Sequence, residues 1–109
     1  MKIVTLHTAT TVDKLLAHVQ QNLNRLFEQQ RQQSINFKVE KVNDAVEISQ
    51  PEMYDGVLFS IAINGPEVWI TRNEHYVDDV NSLTIESILA SLLEDLTDDI
   101  RGVEMVQEG

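Results

Sequence analysis

Cysteine is missing from this chain of 109 residues. Disulfides are therefore excluded, as are thiolate nucleophiles and Cys-ligated zinc or iron–sulfur centres. Glycine is scarce and scattered, at Gly56, Gly65, Gly102 and Gly109. Neither glycine-rich nucleotide fingerprint is present. None of the serines lies in a Gly-x-Ser-x-Gly elbow, which removes that route to a serine nucleophile. No apolar run approaches the roughly 20 residues of a membrane span. The opening Met1-Lys2-Ile3-Val4-Thr5-Leu6 turns polar too soon for a signal-peptide core. The expectation is a cytoplasmic protein without cofactor.

Bases are scarce too. The chain holds 8 Lys and Arg against 18 Asp and Glu, a formal charge of −10. The imbalance is uneven along the chain. Residues 1–41 carry six bases (Lys2, Lys14, Arg25, Arg31, Lys38, Lys41) and three acids, whereas residues 42–109 carry fifteen acids and two bases, Arg72 and Arg101. A surface of one sign repels nucleic acid and anionic membranes and attracts basic partners.

What is present is periodicity. Ile3 to Leu6 reads as a short strand. Val12, Leu15, Leu16, Val19, Leu23, Leu26 and Phe27 recur at steps of three and four, the spacing of one helical face. Thr10 or Thr11 suits the cap, and the polar stretch Gln29 to Ser34 ends the helix. Ile35, Phe37 and Val39 alternate with polar residues as a half-buried strand does. Asn43-Asp44 is a turn signal before a strand at residues 45–49. Residues 57–63 and 68–71 form a hairpin about Asn64-Gly65, a pair suited to a type I′ turn, with Pro66 complicating the register. Ile85, Ile88, Leu89, Leu92, Leu93 and Leu96 mark a second helix, with Ser82 or Thr84 as its cap and Glu86 in its first turn.

The expected fold is one α+β domain over residues 1–109, of order β-α-β-β-β-β-α. Two layers satisfy it: an antiparallel sheet with both helices on one face. From about Gly102 the chain reads as a short polar tail, in which residues 103–106 can add an edge strand.

Two groups of acids stand out. Glu94, Asp95, Asp98 and Asp99 form like-charged i, i+4 pairs at a helix C-terminus, where the dipole already disfavours anions. Glu74, Asp78 and Asp79 surround His75 in the preceding loop. Residues that oppose local stability often serve function. These seven acids are the expected partner-binding residues of a small non-enzymatic module. The concrete form is an inhibitor or adaptor docking on a basic, nucleic-acid-binding surface of another protein. A homo-oligomeric assembly subunit is the second reading, joined through the Val12, Leu16, Val19, Leu23 and Leu26 seam or a sheet edge. The third is a metal-dependent site around His75 with Asp78 and Asp79, although no recognised ligand spacing is met.

Overall fold

The computed structural model describes residues 1–6, 9–96 and 100–105, with the backbone alone for Leu96 and for residues 100–105. The elements are β1 (Lys2–Leu6), α1 (Val12–Arg31), β2 (Lys38–Val42), β3 (Ala45–Ser49), β4 (Val57–Asn64), β5 (Glu67–Arg72), α2 (Val80–Leu96) and β6 (Ile100–Met105), with a 3₁₀ turn at Glu74–Tyr76 before α2. The α+β architecture and the β-α-β-β-β-β-α order are those expected. One strand follows them: β6 pairs antiparallel with β1 and takes up the stretch read as the start of a tail.

The strands form one antiparallel sheet in the order β2-β3-β4-β5-β1-β6. The first strand thus lies between β5 and β6, and α2 bridges the two strands on either side of it. Both helices pack on the same sheet face. Leu15, Val19, Leu23 and Phe27 of α1 and Ile85, Ile88, Leu89, Leu92 and Leu93 of α2 join Val4, Val46, Ile48, Phe59, Ile61, Val68 and Ile70 in one core. The heptad-like seam of α1 is therefore core: Val19 and Leu23 are fully buried, and Val12, Leu16 and Leu26 are partly buried against the same cluster.

Local chemistry explains where the elements begin and bend. The Thr11 hydroxyl accepts from the Lys14 amide at 3.2 Å and caps α1. Gln32, at φ 54°, ends it in the left-handed conformation. The strand expected from Ile35 starts only at Lys38, because Asn24 takes the intervening backbone. Its side chain accepts from the Phe37 amide at 2.8 Å and donates to the Phe37 carbonyl at 3.1 Å. The Phe37 ring is buried edge-on against Phe27, centroids 4.9 Å apart.

The type I′ geometry expected at Asn64-Gly65 occurs instead at the other hairpin turn. Asn43 and Asp44 both have positive φ, 50° and 63°, the type I′ signature. In the second hairpin Asn64 pairs with Glu67, so Gly65 and Pro66 form the loop and only Gly65 has positive φ. Pro66 fixes its own φ near −65°, which rules out type I′ and suits the second position of type II′.

The other sheet face carries no helix. The row Val42, Ala45, Ala62, Trp69 and Ile3 crosses it by direct cross-strand pairing. The Trp69 indole donates to Glu67 at 3.1 Å. Among the described residues no helix is long and apolar enough to cross a membrane.

Candidate functional site

The N-terminal end of α2 is built from two loops tied to each other. The cap is Asp79, three residues ahead of the expected Ser82. Its carboxylate accepts from the Ser82 amide at 3.0 Å, and its carbonyl accepts from the Leu83 amide at 3.0 Å. Ser82 itself is buried, and Thr84 donates back to the Val80 carbonyl at 2.8 Å. The same Asp79 oxygen accepts from the Tyr54 hydroxyl at 2.9 Å, and Asn81 donates to that hydroxyl at 3.0 Å.

A second tie runs the other way. The Tyr76 hydroxyl accepts from the Asp55 amide at 2.8 Å, and the Tyr54 and Tyr76 rings meet edge-on at 4.9 Å. Asn73 anchors the start of the second loop. Its side chain donates to the Val57 carbonyl at 2.9 Å and accepts from the His75 amide at 3.0 Å. Gly56, at φ +75°, gives the first loop its left-handed exit into β4. Burial raises the pKa of the Tyr54 hydroxyl; donation from Asn81 opposes this, and the Asp79 carboxylate adds to it. The hydroxyl therefore stays neutral and serves as a donor.

On this frame stand three exposed large apolar side chains: Met53, Val80 and Leu83, at 51%, 52% and 47% exposure. They are the exposed large apolar residues among the described part of the chain, and they share one end of it. Val80 and Leu83 lie on the first turn of α2. Met53 is next to Tyr54, whose hydroxyl is fastened to Asp79 and Asn81. The same two loops carry exposed acids: Glu52 and Asp55 in the first, Glu74 and Asp78 in the second. Nearby, Arg72 is held by Glu86 at 3.1 Å and Glu74 at 4.0 Å. A shallow cavity lined by Met1, Lys2, Phe59, Ile70, Arg72 and Glu86 lies beside that pair.

The expected acids separate into two places. Glu74 and Asp78 belong to the rim just described. Asp79 is half-buried and serves the helix cap and Tyr54, so its role is structural. Glu94 and Asp95 are exposed at the other end of α2, about 21 Å along the axis from Val80 at 1.5 Å per residue. Asp98 and Asp99 lie outside the described residues. The His75 loop does not assemble as a metal site: among the described residues no three His, Asp or Glu side chains converge to hold an ion. His75 is exposed, with its ring edge-on to Tyr76 at 5.0 Å.

Periodicity missed Met53, Tyr54, Tyr76, Val80 and Leu83. Val80 and Leu83 did carry a signal. Measured from the Ile85-to-Leu93 stripe at 100° per residue, both fall on the opposite side of α2. No protein-family profile, curated protein or solved structure matches this chain.

Proposed function

We propose that this protein is a non-enzymatic interaction module, an adaptor or inhibitor, whose docking site is the N-terminal end of α2. Met53, Val80 and Leu83 form the apolar centre, and Glu52, Asp55, Glu74 and Asp78 form the rim. The observation that carries the reading is the coincidence of exposed large apolar side chains and exposed acids on one braced frame. An apolar centre with a polar rim is the ordinary anatomy of a protein interface. The rim charges set the partner's sign, which is basic, and speed its approach.

The acids support discrete contacts better than imitation of a phosphate backbone. Phosphates along one DNA strand repeat every 3.4 Å or so. From Val80 to Leu93 the helix holds a single acid, Glu86, and that one is paired with Arg72. The partner surface is thus a basic ring about an apolar plug.

Photocrosslinking in extracts of the native host tests this. A photoreactive residue replaces Val80 in one variant and Thr71, exposed on the open sheet face, in another. The expected result is a discrete basic protein crosslinked from position 80 and absent from position 71. Its yield falls between 0.1 M and 1 M salt, as the screening length shrinks from about 10 Å to 3 Å. Equal labelling from both positions, or none from position 80, removes the reading.

A further inference from the structure

At one side the sheet ends in β2, which has a neighbouring strand, β3, on its inner side only. Such an edge is a template for another strand unless something covers it. β2 and β3 meet at a two-residue turn, with Val42 opposite Ala45 and Glu40 opposite Glu47. The backbone groups of Lys38, Glu40 and Val42 therefore point at β3, and those of Phe37, Val39 and Lys41 point off the sheet.

Side chains of α1 reach those outward groups. The Asn24 carboxamide accepts from the Phe37 amide at 2.8 Å and donates to the Phe37 carbonyl at 3.1 Å. These are the two bonds that a residue of a neighbouring antiparallel strand exchanges in a hydrogen-bonded pair. Gln20 donates to the Val39 carbonyl at 2.9 Å. Asn24 thus stands in for a next strand at Phe37. The edge stays open beyond it, at the Val39 amide and at Lys41.

The side chains of β2 decide what fits there. Glu40 lies directly opposite Glu47, a like-charged pair that weakens the sheet. Lys38 meets Glu40 at 3.5 Å from the same strand, in an exposed pair. A second copy adding its own β2 antiparallel has few registers. Centred on Lys38, the pairing sets Lys38 against its own copy; centred on Glu40, it does the same to Glu40. Centred on Lys41, it runs into the Asn43-Asp44 turn. Centred on Val39, it sets each Lys38 opposite the other copy's Glu40 and brings a second cation to the Glu40–Glu47 pair. Opposite charges so placed support strand pairing. That register bonds Phe37 to Lys41 of the second copy, through the two groups that Asn24 holds.

We propose that the β2 edge is a self-pairing surface for a second copy of this chain, held shut by Asn24. With the carboxamide in place the chain stays monomeric at this edge. When it leaves, residues 37–41 pair with their copy about Val39, and the sheet continues from one chain into the other. The docking site on α2 takes no part in this.

Sedimentation equilibrium on the full chain over a range of concentrations tests it. The native chain is expected to be monomeric, and Asn24→Ala is expected to form a dimer more than about tenfold tighter. Hydrogen exchange at the Val39 and Lys41 amides should slow as the variant dimerises. In that background Lys38→Glu is expected to dissolve the dimer, and Lys38→Glu with Glu40→Lys to restore it. Association through loosened structure or an exposed core would not follow that exchange of charge. Should Asn24→Ala fail to fold, Asn24→Asp carries the test. It keeps the bond from the Phe37 amide, loses the one to the carbonyl, and is expected to form a weaker dimer with the same charge dependence. A folded variant at position 24 that stays monomeric overturns the proposal, as does a dimer indifferent to the exchange of Lys38 and Glu40. A native chain already dimeric, with its Val39 and Lys41 amides protected, overturns the role of Asn24.

Discussion

The two helices lie on the same sheet and meet water differently. The outward side of α1 bears Lys14, Gln20, Gln21, Arg25, Glu28 and Gln29. Many of its polar groups hold the fold: Gln20 donates to the Val39 carbonyl, Asn24 grips Phe37, Arg25 reaches Asn22, and Asp13 meets Lys41 at 3.2 Å. The outward side of α2 bears Val80, Leu83, Ser87 and Ser91, with Glu74 and Asp78 ahead of its first turn and Glu94 and Asp95 near its C-terminal end. One helix is completed against solvent by its own residues, and the other leaves an apolar surface where charge would cost nothing. The inner sides both belong to the core, so burial against the sheet does not explain the outer difference; the proposed partner would.

Substitutions on each helix sharpen that contrast. Phe27→Ala empties a fully buried site on α1 and is expected to cost about 3–5 kcal/mol in urea unfolding. Partner affinity should be unchanged at temperatures where the variant remains folded. A loss of affinity greater than the loss of folded fraction would show that α1 shapes the docking surface.

Asp79→Ala removes the cap of α2 and the acceptor of Tyr54. About 1–2 kcal/mol of stability should be lost, with faster hydrogen exchange at the Ser82 and Leu83 amides. Unaltered exchange there would contradict the capping role. Asp79→Asn, which keeps an acceptor oxygen, should recover part of the loss.

The Tyr54 bond also sets an alkaline limit. Its folded pKa lies above the ordinary value of 10.0. The unfolded chain therefore loses the proton first, and stability falls as pH rises from about 10 through the folded pKa. Below pH 10 the contribution is constant. Urea midpoints measured at pH 9 and pH 11 should differ more for the native chain than for Tyr54→Phe, and equal differences would place the alkaline sensitivity elsewhere.

The smallest expected stability effect belongs to the most decisive pair. Leu83→Lys on α2 and Gln21→Lys on α1 are matched exposed changes, each expected within about 0.5 kcal/mol of the native stability. Only Leu83→Lys should weaken partner binding, by more than tenfold. Equal effects on binding would remove the distinction between the two helices.

Much of this fold is written in short-range pattern. The α1 stripe from Val12 to Phe27, the α2 stripe from Ile85 to Leu93, and the strands about residues 45–49 and 57–72 were legible because side-chain direction repeats every 3.6 or 2 residues. Legibility failed where a distant group intervenes. Asn24 delays β2 from thirteen residues away, and Tyr54 claims Asp79 from twenty-five. The residues of the proposed docking site were only half legible. Glu74 and Asp78 stood out by charge. Met53 had no pattern at all, since a methionine in a loop becomes a surface feature only when its neighbours are known.

The sequence by itself determined the α+β class, the element order, the inward faces of both helices and an acidic exterior. Each of these depends on periodicity or composition, which neighbouring residues settle between themselves. Only the tertiary structure decided that β1 sits between β5 and β6, that Asp79 is a cap rather than a free acid, and that the loop carrying Met53 is fastened to the start of α2 through Tyr54. Those outcomes depend on contacts between residues far apart in the chain, and such contacts form only when the sheet closes its order and the two loops are drawn together over the end of α2.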